Sequence, residues 1–234
     1  MDKKLLVSDY DGTLKSNVKN LKLNIEAINK FREHGNLFAI STGRSYNSIK
    51  NECNKYDIKY DYLFCNNGRV LFDSNDQILF EKAIDFEIVQ NFVSVINWYY
   101  GIKNIGYYDS YGKSDFTNYD RIIDIIVDLK LFNEFNKFKK LFEQSHITVD
   151  IVNYFLYSVI SSNFDKGRGL EILAKKIENE VSRENIITVG DNYNDLSMLK
   201  KFNGYKVLFS YPFLYGRGIK TVREVHTLIK KIDK

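Results

Sequence analysis

Val7-Ser8-Asp9-Tyr10-Asp11-Gly12-Thr13-Leu14 closes the apolar run that begins at Lys4 and sets two carboxylates, two residues apart, where that run ends. A short apolar run bounded by acid and glycine reads as a buried strand. In open α/β sheets, ligands bind in the crevice at the carboxyl ends of strands, so a turn here can aim both carboxylates into it. Gly12 lets backbone amides come close to an anion. Taken alone, the stretch is also what an acidic turn at a strand end looks like.

Outward from this strand the pattern alternates. Leu21, Ile25, Ile28 and Phe31 recur at helical spacing, predicting a helix over Leu21–His34 closed by Gly35. Leu37–Ser41 reads as a strand, Ser45–Tyr56 as a helix and Tyr62–Cys65 as a third strand. Strands alternating with helices imply βαβ units and a parallel sheet. Arg69–Asp73 and Gln77–Lys82 then flank Ser74-Asn75-Asp76 as a hairpin would. Beyond it the pattern predicts a helix (Glu87–Tyr100), a strand (Lys103–Tyr108), a polar loop, helical material from Tyr119 to Gln144, and strands at Ile147–Val152 and Phe155–Ile160. From Lys166 the alternation resumes: a helix to Glu178, a strand Asn185–Val189, a helix Asn194–Phe202, a strand Tyr205–Phe209 and a closing helix Val222–Ile232. The expected architecture is α/β, a Rossmann-like parallel-sheet core made of residues 1–83 and 159–234, with a smaller α+β domain inserted at 84–158.

Composition narrows the function classes. The chain has 234 residues, 44% hydrophobic and 27% charged, with a single proline, which describes an ordered globular protein. The net charge of +4 comes from lysines scattered along the chain, whereas nucleic-acid binding asks for a concentrated basic stripe. Neither a signal peptide nor a membrane span is expected, so the setting is cytoplasmic, with no nucleic-acid or membrane partner. Cys53 and Cys65 lack any metal-ligand spacing and read as buried thiols. His34, His146 and His226 have structural explanations, His34 lying in a last helical turn where positive charge is favoured.

A second acidic strand end gives the first its meaning. Thr188-Val189-Gly190-Asp191-Asn192-Tyr193-Asn194-Asp195 also ends an apolar run and opens a helix. Carboxylates from neighbouring strand ends repel unless a cation holds them, and an all-oxygen site with few protein ligands suits Mg²⁺. Asp195, in a first helical turn, would also favour the helix dipole. Between the two lie Ile40-Ser41-Thr42-Gly43-Arg44 at a strand end and Asp165-Lys166-Gly167 at a helix start, offering a hydroxyl, an accessible amide and a point charge to phosphate oxygens.

Asp9-Tyr10-Asp11-Gly12-Thr13, Thr42-Gly43-Arg44, Asn66-Asn67-Gly68, Lys166-Gly167 and Gly190-Asp191-Asn192-Tyr193-Asn194-Asp195-Leu196 together, in this order, resemble the haloacid dehalogenase superfamily of phosphohydrolases. The insertion point resembles its Cof-like branch with an α/β cap. The resemblance implies a magnesium-dependent phosphatase acting on a small phosphorylated metabolite, a sugar phosphate above all. Asp9 would be the nucleophile, forming an aspartyl-phosphate, and Asp11 the acid and then base, a cycle contributing ~10²–10⁴-fold. Mg²⁺ would be held by Asp9 and Asp191 and by the backbone carbonyl of Asp11, with Asp195 as direct or supporting ligand. Thr42, the Gly43 amide and Lys166 would bind phosphate oxygens alongside Gly12, and Asn194 would orient Lys166 or the phosphate. Arg44 and Asn67 would touch the phosphate or leaving group, a surface ion pair being the equal alternative for Arg44. The cap would close over the site. Its aromatic run Trp98-Tyr99-Tyr100, Tyr107-Tyr108 and Tyr111 reads first as packing and second as ring faces for a ligand.

Two competing readings remain at this level. A phosphomutase would use the same aspartyl-phosphate but pass the group to another sugar hydroxyl, and a receiver-like module would use the acidic cluster as a switch without turnover. The expected assembly is a monomer or homodimer.

Overall fold

Leu5, Leu6 and Val7 are wholly buried in succession, the mark of a strand covered on both faces. They form β1 (Leu5–Ser8), from which both halves of an eight-stranded sheet grow. The computed structural model describes residues 2–96, 102–113, 122–129, 147–151, 156–161 and 164–233. On one side of β1 lie β2 (Leu37–Ser41) and β3 (Tyr62–Cys65). On the other lie β10 (Ile186–Gly190), β11 (Asn203–Val207) and β12 (Lys220–Val222), and all six strands are parallel. Because β1 pairs with β2 in one direction and β10 in the other, the strand order reverses there, and the reversal opens a crevice at the carboxyl ends. The predicted hairpin closes the far edge: β4 (Val70–Asp73) runs antiparallel to β3, and β5 (Ile78–Glu81) follows a turn in which the Asp73 N–H donates to the Gln77 carbonyl.

Helices cover this sheet. In α1 (Val18–Glu33) the residues Leu21, Asn24, Ile28 and Phe31 form one buried stripe. The helix begins three residues before the expected start because the Asn17 side chain accepts a hydrogen bond from the Asn20 N–H at 2.9 Å and caps it. The other helices are α2 (Tyr46–Tyr56), α4 (Lys166–Lys176), α5 (Leu196–Lys201) and α6 (Val225–Ile232), with α1 packed on α6. Leu170 and Leu173 of α4 and Met198 and Leu199 of α5 join Leu5, Val7 and Ile186 of the sheet in one apolar cluster.

The chain divides into two compact units, Met1–Arg44 with Ile49–Phe80 and Asp165–Lys234, and Ser45–Ser48 with Glu81–Phe164. The second contains α3 (Phe86–Ile96) and an antiparallel sheet of β6 (Ile102–Tyr108), β7 (Asp124–Leu129), β8 (Ile147–Ile151) and β9 (Leu156–Ser161), in the order β6-β7-β9-β8. Strand β9 carries this sheet to Ser161, past the expected boundary at 158.

Three sequence expectations are corrected. The helical material expected from Tyr119 to Gln144 contains β7, since the branched run Ile122-Ile123-Asp124-Ile125-Ile126-Val127 favours extended chain and finds partners on both sides, β6 and β9. Near the C-terminus, β11 sits two residues earlier than expected. The closing helix starts at Val225 rather than Val222, because Thr221-Val222 pairs with β11 and the Glu224 and Thr227 side chains form the helix cap. Residues 119–121 and 130–144, Trp98-Tyr99-Tyr100 and His146 lie outside the described residues. Among the described residues no helix is long and apolar enough to cross a membrane.

Candidate active site

The ladder between β1 and β10 runs one residue beyond β1: the Asp9 N–H donates to the Val189 carbonyl at 2.9 Å. That bond delivers Asp9 to the strand end from which Asp191 emerges. The following turn is folded tightly on itself, with the Leu14 N–H on the Asp9 carbonyl at 3.1 Å and the Lys15 N–H on the Tyr10 carbonyl at 2.8 Å. Thr13 completes it by donating its hydroxyl to Asp191 Oδ1 at 2.7 Å.

Lys166 is the first residue of α4, whose start is fixed by Asp165 accepting the Arg168 N–H at 2.8 Å. Its ammonium is buried and donates to Asp9 Oδ1 at 2.6 Å and Asp195 Oδ1 at 2.7 Å. The other oxygen of Asp195 accepts the backbone N–H groups of Asp191 and Asn192, both at 2.9 Å. Asp195 is therefore committed on both oxygens, anchoring the lysine and the loop that bears Asp191.

Close backbone packing sets the lysine's position. A Cβ on Gly169 would lie 2.5 Å from the Gly68 carbonyl oxygen, so only glycine lets α4 sit against the Asn66-Asn67-Gly68 turn. Gly169→Ala should lower stability by about 2 kcal/mol, the usual scale for overpacking, and slow turnover by moving Lys166. An unchanged urea midpoint together with an unchanged rate would contradict this account.

Charge in the pocket is unbalanced. Asp9, Asp191 and Asp195 each offer an oxygen within 4.8 Å of the others, and among the described residues one ammonium faces them. Burial raises the Asp9 carboxyl well above its ordinary value; Lys166 pulls it back, while Asp195 and Asp191 push it further up. Burial likewise raises Asp191, against its bond from Thr13. Burial opposes the Lys166 charge, but Asp195 and Asp9 outweigh it and hold the ammonium protonated. One ammonium thus faces three clustered carboxyl groups, and a hard dication is what would let them ionise together.

The donor set fits Mg²⁺ on geometry as well. Asp9 Oδ2 and Asp191 Oδ2 take no part in the bonds named above. The backbone beside Asp191 is drawn in so closely that a Cβ on Gly12, at φ +85°, would stand 2.5 Å from Asp191 Oδ2. Asp9, Asp191 and Asp195 form an acidic group that could hold such an ion.

The Thr42 segment lies at the end of β2. The Thr42 N–H donates to the Phe64 carbonyl, and its carbonyl accepts the Asn67 N–H at 3.0 Å. Its hydroxyl oxygen accepts the Arg44 N–H at 3.1 Å. Asn67 adopts left-handed backbone angles, φ 55° and ψ 40°, and its side-chain oxygen accepts from the Asn194 amide at 3.0 Å. Asn194 therefore holds Asn67, not Lys166, whose orientation falls to Asp195. A Cβ on Gly43 would lie 3.2 Å from Asn67 Oδ1, so the two segments meet closely.

Arg44 makes the ion pair that was one of its two readings: Nε and Nη2 each donate to one oxygen of Asp11 at 2.7 Å. This hydrogen bonding raises the guanidinium pKa further. Three contributors were missed from sequence: Thr13, Tyr10 and Glu52. Thr13 and Tyr10 stood inside the quoted motif without a role, and nothing local in the sequence marked Glu52. The Tyr10 hydroxyl donates to Glu52 Oε2 at 2.7 Å, and Lys15 pairs with the same oxygen. Burial raises the Tyr10 phenol and the Lys15 bond lowers Glu52, so donor and acceptor roles are fixed. His34 bonds to Asp233 and His226 to Asn24, both away from the site.

A family model described as haloacid dehalogenase-like hydrolase matches residues 6–113 and 100–208. A Mycoplasma capricolum protein described as uncharacterised is 28% identical over 254 residues, covering 93% of this chain and 94% of its own. Among solved structures, a haloacid dehalogenase-like hydrolase from Bacteroides thetaiotaomicron superposes with a TM-score of 0.80 at 18% identity, covering 99% of this chain and 100% of that one. The sucrose-phosphatase of Synechocystis sp. PCC6803, solved with sucrose and phosphate, superposes at 0.70 and 14% identity, covering 100% and 98%. With matches spanning residues 6 to 208, and its motif residues at strand ends and at the start of α4, the chain belongs to the haloacid dehalogenase-like hydrolase family.

Proposed function

We propose that this hydrolase is a magnesium-dependent phosphatase that removes the phosphoryl group from a small phosphorylated metabolite, a sugar phosphate above all, through an aspartyl-phosphate on Asp9. The observation carrying the reading is the buried Asp9 carboxylate held between Lys166 and Asp191 at the strand-order reversal. The solved sucrose-phosphatase of the same fold supports the substrate class.

Phosphoryl transfer asks a protein for in-line placement and neutralised charge. An Asp9 oxygen attacks phosphorus as the bond to the leaving oxygen breaks, and Asp11 gives that oxygen a proton. Water then attacks the phosphorus of the acyl phosphate, Asp11 takes the proton, and inorganic phosphate departs with Asp9 restored. Lys166, the Thr42 hydroxyl and the Gly43 amide would hold the non-bridging oxygens throughout. Bound Mg²⁺ would supply the positive charge that lets an anionic nucleophile meet an anionic phosphate. A cytoplasmic setting belongs to the same reading, supported by two free, buried cysteines.

A phosphate-release assay over sugar phosphates, nucleotides and pyridoxal phosphate, with Mg²⁺ and with chelator, tests the proposal. Isomerised sugar phosphate without release would put a mutase in its place, and magnesium binding without any turnover would leave a silent module.

Linkage adds a pH test. Asp9 and Asp191 have folded-state pKa values raised above the unfolded ones, so their contribution to stability is present at low pH and lost as pH rises through the raised values. The metal-free chain should therefore be less stable at pH 8 than at pH 5, and saturating Mg²⁺ should raise Tm more at pH 8. At a hundredfold excess over Kd the gain is about 2.7 kcal/mol. Differential scanning fluorimetry giving the same Mg²⁺ shift at both pH values would refute the linkage.

A further inference from the structure

We propose that Tyr10 and Glu52 are positioning residues: the Tyr10 ring, pinned through its hydroxyl to Glu52, is the face on which Arg44 is seated while it grips Asp11. This rests on the reading of Asp11 as the acid that protonates the leaving oxygen.

The turn puts Tyr10 and Asp11 in opposite environments. Tyr10 is wholly buried, whereas the Asp11 side chain is 54% exposed. An exposed carboxylate paired only with a long, flexible partner is poorly held, since such pairs gain little against the side-chain freedom they give up. Arg44, however, has a second contact. Its guanidinium carbon lies 5.3 Å from the centroid of the Tyr10 ring, within the range at which a cation is drawn to a ring face. That ring cannot swing away while its hydroxyl is bonded to Glu52 Oε2 at 2.7 Å.

Glu52 is itself fixed by the Lys15 ammonium, and Lys15 is tied to the same turn through its N–H on the Tyr10 carbonyl. The sequence of contacts therefore runs from Glu52 through Tyr10 to Arg44 and ends on both oxygens of Asp11. A planar guanidinium seated on a ring and forked on a carboxylate leaves that carboxylate little angular freedom. Proton delivery to a leaving oxygen needs that accuracy; as one Asp11 oxygen takes up the proton it will give, one Arg44 bond gives way and the other keeps the carboxyl aimed, and small misplacements of reacting groups cost large factors in rate.

The test compares two phosphomonoesters in the presence of Mg²⁺. A hexose 6-phosphate has an alkoxide leaving group that needs a proton, whereas p-nitrophenyl phosphate releases a phenolate that does not. Tyr10→Leu should lower kcat/KM for the hexose phosphate about tenfold and for p-nitrophenyl phosphate less than about twofold, while Tyr10→Phe, which keeps the ring but loses the Glu52 bond, should cost the hexose phosphate about threefold. In an Arg44→Ala background, Tyr10→Leu should cost nothing further.

A merely structural role predicts the opposite, equal losses on both substrates and in both backgrounds, and that result would overturn the proposal. Should Tyr10→Leu fail to fold, Glu52→Ala in α2 serves instead. It should lower hexose-phosphate turnover by about threefold in the wild-type background and not at all beside Arg44→Ala; equal losses there overturn the proposal too. Wild-type protein without turnover on either ester would sink the hydrolase reading and this inference together, whereas turnover with equal losses sinks the positioning role alone.

Discussion

Asp9→Asn should abolish phosphate release, by at least ~10⁴-fold, while leaving the fold intact, because removing a nucleophile ends covalent catalysis outright. The substitution nearly conserves shape, and the amide oxygen can still accept from Lys166 Nζ, which stands 2.6 Å from Asp9 Oδ1. It also removes one negative charge from a pocket whose burial already opposes that charge. Activity and stability should therefore separate: the metal-free Asp9→Asn protein should melt no lower than wild type, and its gain in Tm on adding Mg²⁺ should shrink. Phosphate release that survives in Asp9→Asn, measured on the best substrate of the panel, would defeat the nucleophile assignment. A melting temperature well below wild type would instead show that the carboxylate is needed for folding.

Replacing Lys166 should have the largest effect on stability. Lys166→Met keeps most of the aliphatic stem but leaves Asp9 and Asp195 buried without their ammonium, and breaking a buried pair in this way costs about 3–5 kcal/mol. The exposed pair of Lys59 and Asp57 is equally short at 2.7 Å, yet Lys59→Ala should change stability by less than about 0.5 kcal/mol, since water screens it and competes for both partners. Urea titration of the two variants side by side tests the contrast. Lys166→Arg should not rescue, because the larger guanidinium has to enter a slot that leaves the lysine side chain no exposed surface. Equal midpoints for Lys166→Met and Lys59→Ala would refute the charge account of the pocket.

Much of the catalytic unit was legible along the chain. Strands β2 and β3 fall where their apolar runs end, and the hairpin of β4 and β5 where its turn residues stand. Local pattern failed where it carries two meanings. The branched run around Ile125 lies in a longer stretch rich in apolar and charged residues, and only partners on both sides made it β7. Similarly, Lys220–Val222 is too short to register as a strand until β11 offers it an edge.

Within the site, residue types and spacing marked Asp9, Asp11, Thr42, Lys166 and Asp191 as chemistry, because carboxylates, hydroxyl, amide and ammonium at strand and helix ends are what a phosphate and a dication require. Sequence left open which of them touch. Asp195, read as a metal ligand or a support, bonds to Lys166 and two amides while lying in one acidic group with Asp9 and Asp191. Arg44, read as a phosphate ligand or an ion pair, pairs with Asp11, and Asn194, read as orienting the lysine or the phosphate, donates to Asn67. Periodicity and motif spacing record how each segment presents its own side chains; the neighbours those side chains meet depend on the order β10-β1-β2, assembled from segments as far apart as residues 8 and 189. The chain thus carried its chemistry in local sequence, and the long-range order of the parallel sheet alone decided how those groups divide the work.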